Sequence, residues 1–93
     1  MTSHTNARFR QALASLPPQV RSQARRAYQL FKNDPNHPSL RFKSIHPSLP
    51  IYSVRVGAGH RAAGVMERDQ IVWFWIGSHA DYDRLISQWR RNA

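Results

Sequence analysis

The spacing of apolar residues changes twice along the chain, from a helical period to alternation and back, which divides it into three stretches. Phe9, Ala12, Leu13 and Leu16 recur at helical spacing with Arg8, Arg10 and Gln11 outward, predicting a short amphipathic helix over residues 6–15. Pro17-Pro18 ends it and can open the next, because proline is tolerated at the first helical position. Over residues 18–32, Val20, Ala24, Ala27, Tyr28 and Phe31 share one face while Arg21, Arg25 and Gln29 point away. This second helix forms an αα-hairpin with the first. Asn33-Asp34-Pro35-Asn36-His37-Pro38 cannot continue it, given two prolines and turn-forming side chains.

In the middle stretch, Leu40, Phe42 and Ile45 alternate with Arg41 and Lys43, predicting a first strand that His46-Pro47 ends. Tyr52, Val54 and Val56 alternate with Ser53, Arg55 and Gly57, a strand with one core face and one polar face. A Gly57-Ala58-Gly59 turn leads into an extended run from Arg61 to Met66, and Glu67-Arg68-Asp69 turns the chain into IVWFWI, residues 71–76. A run without a polar residue suits a strand buried on both faces, so it is the expected central strand. These connections are too short for crossovers, which makes the pairing antiparallel. After Gly77, Ser78-x-x-Asp81 has the form of a capping box, and Tyr82, Leu85, Ile86 and Trp89 give a final helix one apolar stripe. The expected fold class is α+β: an N-terminal αα-hairpin packed on a small antiparallel β-sheet, with a C-terminal helix closing an end. Leu13, Leu16, Tyr28, Phe31, Val54, Trp73, Trp75 and Leu85 are the expected core.

A chain of 93 residues predicts one domain, 1–93, with a single core. It has no cysteine, which removes disulfides and thiolate metal sites and suits a reducing compartment. No apolar run approaches the roughly 20 residues of a membrane span, and MTSHTNARFR lacks the apolar segment of a secretion signal, so the expected location is cytoplasmic, with no membrane partner. Charge changes the picture most. Fourteen Lys+Arg against five Asp+Glu give +9, and twelve of the fourteen are arginine, whose forked donors match phosphate oxygens. A polyanionic partner is expected.

Three segments, LPPQVRSQARRAYQLFKNDPNHPSLRFK, YSVRVGAGHRA and VWFWIGSHADYDRLI, occur in the order helix pair, basic strand, arginine-bearing hairpin, buried strand and terminal helix. In this the chain resembles the RelE/ParE superfamily of small bacterial toxins from type II toxin-antitoxin systems, over nearly its whole length. The resemblance implies a RelE-like fold, a cognate acidic antitoxin, and one of two activities. One is ribosome-dependent cleavage of messenger RNA, with the ribosome and mRNA as partners; the alternative is non-enzymatic inhibition of DNA gyrase. An inactive nucleic-acid-binding member is a third reading. Many members open with a strand before the helix pair, and here only residues 1–5 can supply it, so a short or missing edge strand is expected.

RNA cleavage by an adjacent 2′-hydroxyl needs a base, an acid for the leaving oxygen, and fixed positive charge around the phosphorus. It requires no metal, and neither metal nor cofactor is expected. His79 carries an imidazole, a side chain suited to proton transfer, and sits where the last strand meets the last helix. Arg61 follows the glycine turn, where the resemblance implies a phosphate-contacting arginine. Arg55 and Lys43, on the polar faces of their strands, complete the candidate catalytic set. With an odd hairpin loop Arg55 and Arg61 share a face, with an even one they do not, and sequence leaves the parity open. Arg41, His60 and Arg25 are candidate RNA contacts, although the outer face of the second helix equally suits the antitoxin. Tyr82 is a further RNA candidate by resemblance, while its place at the head of the apolar stripe argues for core.

Overall fold

The computed structural model describes residues 1–92, and side chains as far as residue 91. In chain order the elements are β1 (Thr2–Thr5), α1 (Ala7–Ala14), α2 (Pro18–Asn33), a 3₁₀ turn (Pro38–Leu40), β2 (Lys43–Ser44), β3 (Ile51–Val56), β4 (His60–Glu67), β5 (Gln70–Ser78) and α3 (His79–Asn92). Five strands form one sheet in the order β1-β5-β4-β3-β2. The β2–β3, β3–β4 and β4–β5 pairs are antiparallel, as the short connections require.

The Asn6 side chain accepts the Phe9 amide at 2.8 Å and so caps α1, while α2 carries Pro18 in its first turn, where an amide is not needed. The two helices cover one face of the sheet, α1 leaning on β5 and α2 on β3. Phe31, almost fully buried, joins the layers: its ring meets Trp73 at 5.2 Å and Phe42 at 5.1 Å, both edge-on. Each such contact adds about 0.5–1.5 kcal/mol beyond the area it buries. Around it lie Phe9, Ala24, Leu40, Val54, Val56, Ala62, Ile71 and Ile76.

The structure corrects the sequence reading in four places. First, the edge strand is short, as one of the two expectations had it, but it pairs parallel in a sheet expected to be antiparallel: Thr2 to Thr5 pair with Gln70 to Trp73. Ser3 anchors it, its carbonyl accepting the Tyr28 hydroxyl and its Oγ accepting Trp73 Nε1, both at 2.9 Å. Second, the strand expected from Leu40 to Ile45 shrinks to Lys43 and Ser44. Pro38 and the His37 side chain hold Leu40 in a 3₁₀ turn, and Arg41 is left-handed at φ 48°, which breaks extension.

Third, Trp75 does not share the face of Trp73. Gly64 pairs with Trp73 and Ala63 with Trp75, so Phe74 is an extra residue in a β-bulge. The bulge lets β5 send Ile71, Trp73 and Ile76 to the helix pair and Trp75 to the opposite face, where it is half-buried beside Tyr82. Hence an all-apolar run. Leu13, Leu16, Tyr28 and Leu85 are likewise half-buried, while Phe31, Val54 and Trp73 are core as expected. Fourth, β4 rather than β5 is the middle strand, and α3 lies over the face away from the helix pair rather than merely closing an end. Its capping box is half formed: the Asp81 amide donates to Ser78 Oγ at 3.2 Å, but the Asp81 carboxylate takes Arg84.

Candidate nucleic-acid interface

The site is built on the sheet face that α3 shares. The β3–β4 loop, Gly57-Ala58-Gly59, has an odd count, closed by Val56 opposite His60, with Gly57 at φ 59° making the turn. Arg55 and Arg61 are therefore direct cross-strand partners on one face. Two residues back along the hairpin, Ser53 pairs with Ala63 on one side and Lys43 on the other, which puts Lys43 on that face too. On β5 the partner of Arg61 is Gly77, and a Cβ there would meet the Trp75 indole at 2.8 Å, so the glycine lets that ring lie across it.

Two arginines directly opposite repel one another. They part: Arg55 donates from Nε to the Gly57 carbonyl at 3.0 Å, turning toward its own hairpin. Arg61 instead goes under α3. It is 7 % exposed, with its guanidinium carbon 5.0 Å from the Tyr82 ring centre and Nη1 donating to Ser53 Oγ at 3.3 Å. Ser53 Oγ is also 3.0 Å from the Tyr82 hydroxyl. Among the described residues the ion pairs are His79 with Asp83 and Arg84 with Asp81, so no carboxylate neutralises Arg61. A buried charge given a ring and a hydroxyl, but no counter-ion, is poised for an anion from outside.

His79 begins α3, its amide donating to the Gly59 carbonyl at 2.9 Å, which ties the helix start to the hairpin turn. Its Nε2 lies 3.9 Å from Asp83 Oδ2 one turn on, and its ring centre 6.0 Å from that of Tyr82. Arg41, Arg55, His60, Arg61 and His79 converge on one depression of about 250 Å³. Arg61 and His79 also line a second, of about 720 Å³, with Lys43, Tyr82, His46, Trp89 and Arg90. Fixed cations and two imidazoles around one hollow can hold a phosphate and move a proton at it.

Seven of the eight sequence candidates thus line one or both of these hollows. Arg25 does not: it borders an apolar cleft of about 350 Å³ between α1 and α2, with the sheet between it and Arg61. Tyr82 is there as a buried roof, 3 % exposed, and its ring serves Arg61 rather than offering a face to a base. Sequence reasoning passed over Ser53, although the alternation that selected Arg55 puts it on the same face. It also passed over Asp83, one helical turn from His79. Trp75 carried no signal, because the bulge that turns it is invisible in the sequence.

Residues 18–84 match the family model of the ParE-like toxin domain. Two solved structures are similar at 20 % identity. The RelB-RelE antitoxin-toxin complex of Methanococcus jannaschii matches with a TM-score of 0.68 over 86 % of this chain and 95 % of that one. The RelBE2 toxin-antitoxin complex of Mycobacterium tuberculosis matches at 0.59 over 86 % and 92 %. At that identity the likeness is one of fold. No curated protein sequence matches the chain.

Proposed function

Because the chain belongs to the ParE-like toxin domain family, we propose that it is the toxin of a toxin-antitoxin pair and a metal-independent endoribonuclease that cuts messenger RNA on the ribosome. The observation that carries this is Arg61: a buried guanidinium with no carboxylate paired to it among the described residues, opening beside His79 into a hollow ringed by Arg41, Arg55 and His60. In the proposed reaction a 2′-oxygen attacks the adjacent phosphorus as its proton leaves. The bond to the 5′-oxygen breaks, that oxygen takes a proton, and a 2′,3′-cyclic phosphate remains. Arg61 holds the charge that builds on the phosphate oxygens, His79 moves a proton, and Arg55 and Lys43 position the strand. The Asp83 carboxylate lies one helical turn on, 3.9 Å from His79 Nε2.

The ribosome supplies the geometry of the RNA, and the net charge of +9 draws the protein to it. An acidic antitoxin is the natural antagonist of such a surface, and the two similar structures named above are complexes with antitoxin. It folds onto this chain as it binds. Among the described residues no helix is long and apolar enough to cross a membrane. The proposed toxin is a single domain, 1–93, that acts in the cytoplasm.

Expression of Arg61→Met and His79→Ala tests the reading, with mRNA cleavage mapped by primer extension. Both variants should fold, be captured by the antitoxin and lose toxicity and cleavage. If both remain fully toxic and arrest replication instead of translation, the gyrase reading replaces this one.

A further inference from the structure

We propose that Trp89 and His46 form a nucleobase subsite next to the phosphate held by Arg61, an inference that rests on the RNA reading of this face. The apolar stripe of α3 starts in the core with Tyr82, but by Trp89 the indole's aromatic neighbour is His46, from the β2–β3 connection. Their ring centres are 5.4 Å apart and tilted by 59°. Neither ring belongs to the core cluster, both are half-buried, and both line the hollow of about 720 Å³ that takes in Lys43, Arg61 and Arg90. A partly open indole among cations suits an unpaired nucleotide, whose base stacks while its backbone follows the charge.

His46 adds a direction to that contact. The amides of Ser48 and Leu49 donate to its Nδ1 at 3.1 and 2.9 Å. The neutral ring therefore carries its proton on Nε2, and the same two bonds fix its orientation before any ligand arrives. Nε2–H is a donor, so the favoured base presents an acceptor beside the indole. The ligand class is an unpaired ribonucleotide with an acceptor on its edge, adjoining the phosphate at Arg61.

Fluorescence anisotropy of the full chain with labelled 2′-O-methyl trinucleotides, which cannot be cleaved, tests the subsite against an abasic strand of equal charge. Trp89→Leu, which keeps apolar bulk on α3, should bind the base-bearing strand roughly five- to hundredfold more weakly than wild type. Trp89→Phe should recover most of the loss, and all three should bind the abasic strand alike. His46→Phe should keep stacking but lose discrimination between bases. Arg61→Met should weaken both strands. If Trp89→Leu binds the base-bearing strand as wild type does while Arg61→Met has lost it, the subsite is wrong and the RNA reading stands. If no strand binds, or Arg61→Met binds both unchanged, the subsite has no phosphate at Arg61 to adjoin and is wrong, while the RNA reading is decided by the cleavage assay on the ribosome.

Discussion

Arg61 and Tyr82 form a closed unit with Ser53: the guanidinium lies under the phenol ring and donates to a serine that also meets the phenol hydroxyl. The charge is held in place by neutral groups alone. That separates the role of Arg61 in the fold from its role at the surface, and the two respond differently to substitution.

Arg61→Met keeps much of the bulk beneath Tyr82 and removes an unpaired buried charge. Even a buried ion pair can often be replaced by apolar bulk without loss, and a lone buried charge has no partner to strand, so denaturant unfolding should show no loss of stability. Cleavage should nevertheless fall by about 10²- to 10³-fold, as on removal of one preorganised charge from an active site. A variant that unfolds would show that the arginine serves the core instead.

Anions should stabilise the wild type. A ligand that binds only the folded state adds about 2.7 kcal/mol at a hundred times its Kd, so melting in rising phosphate at constant ionic strength should raise Tm. Arg61→Met should show a much smaller rise, because its hollow has lost the innermost of its cations.

Tyr82→Phe deletes the hydroxyl and leaves Ser53 with Arg61 as its side-chain partner. The cost should be near that of one buried hydrogen bond, about 1 kcal/mol by urea unfolding, while the ring still roofs the guanidinium and most activity survives. Tyr82→Leu keeps apolar bulk but removes the ring, and should lower activity well below that of Tyr82→Phe.

Gly77→Ala places a methyl group against the Trp75 indole, whose nearest carbons would lie 2.8 and 2.9 Å away. The ring must move. The expected penalty is about 1–3 kcal/mol, with a shift in tryptophan emission and a loss of activity, since Gly77 is the cross-strand partner of Arg61.

Most of the helical architecture was legible, because Pro18 and the stripe from Val20 to Phe31 define α2 by short-range rules. The site was legible as a set of residues, since Arg55, Arg61 and His79 stood out by charge and position. Their arrangement was not. The parity of the β3–β4 loop is a backbone choice that Gly57-Ala58-Gly59 permits either way, and only the pairing of Val56 with His60 decides it. The Phe74 bulge and the left-handed Arg41 are local departures imposed by packing, and neither residue type announces them. The burial of Arg61 depends on α3 folding back over the sheet, a long-range event that no window of sequence contains.

The parallel pairing of β1 with β5 bears on how the protein is made. The first strand of the sheet in chain order has its partner in the last, Thr2 meeting Gln70, and α1 leans on that same strand. Until translation passes residue 70 the N-terminal segment has nothing to pair with, and until it passes residue 82 Arg61 has no roof. A chain shorter than about 70 residues therefore lacks part of both sheet and site. Sheet and site are completed by the same late segment, so neither is whole in a chain cut short of it.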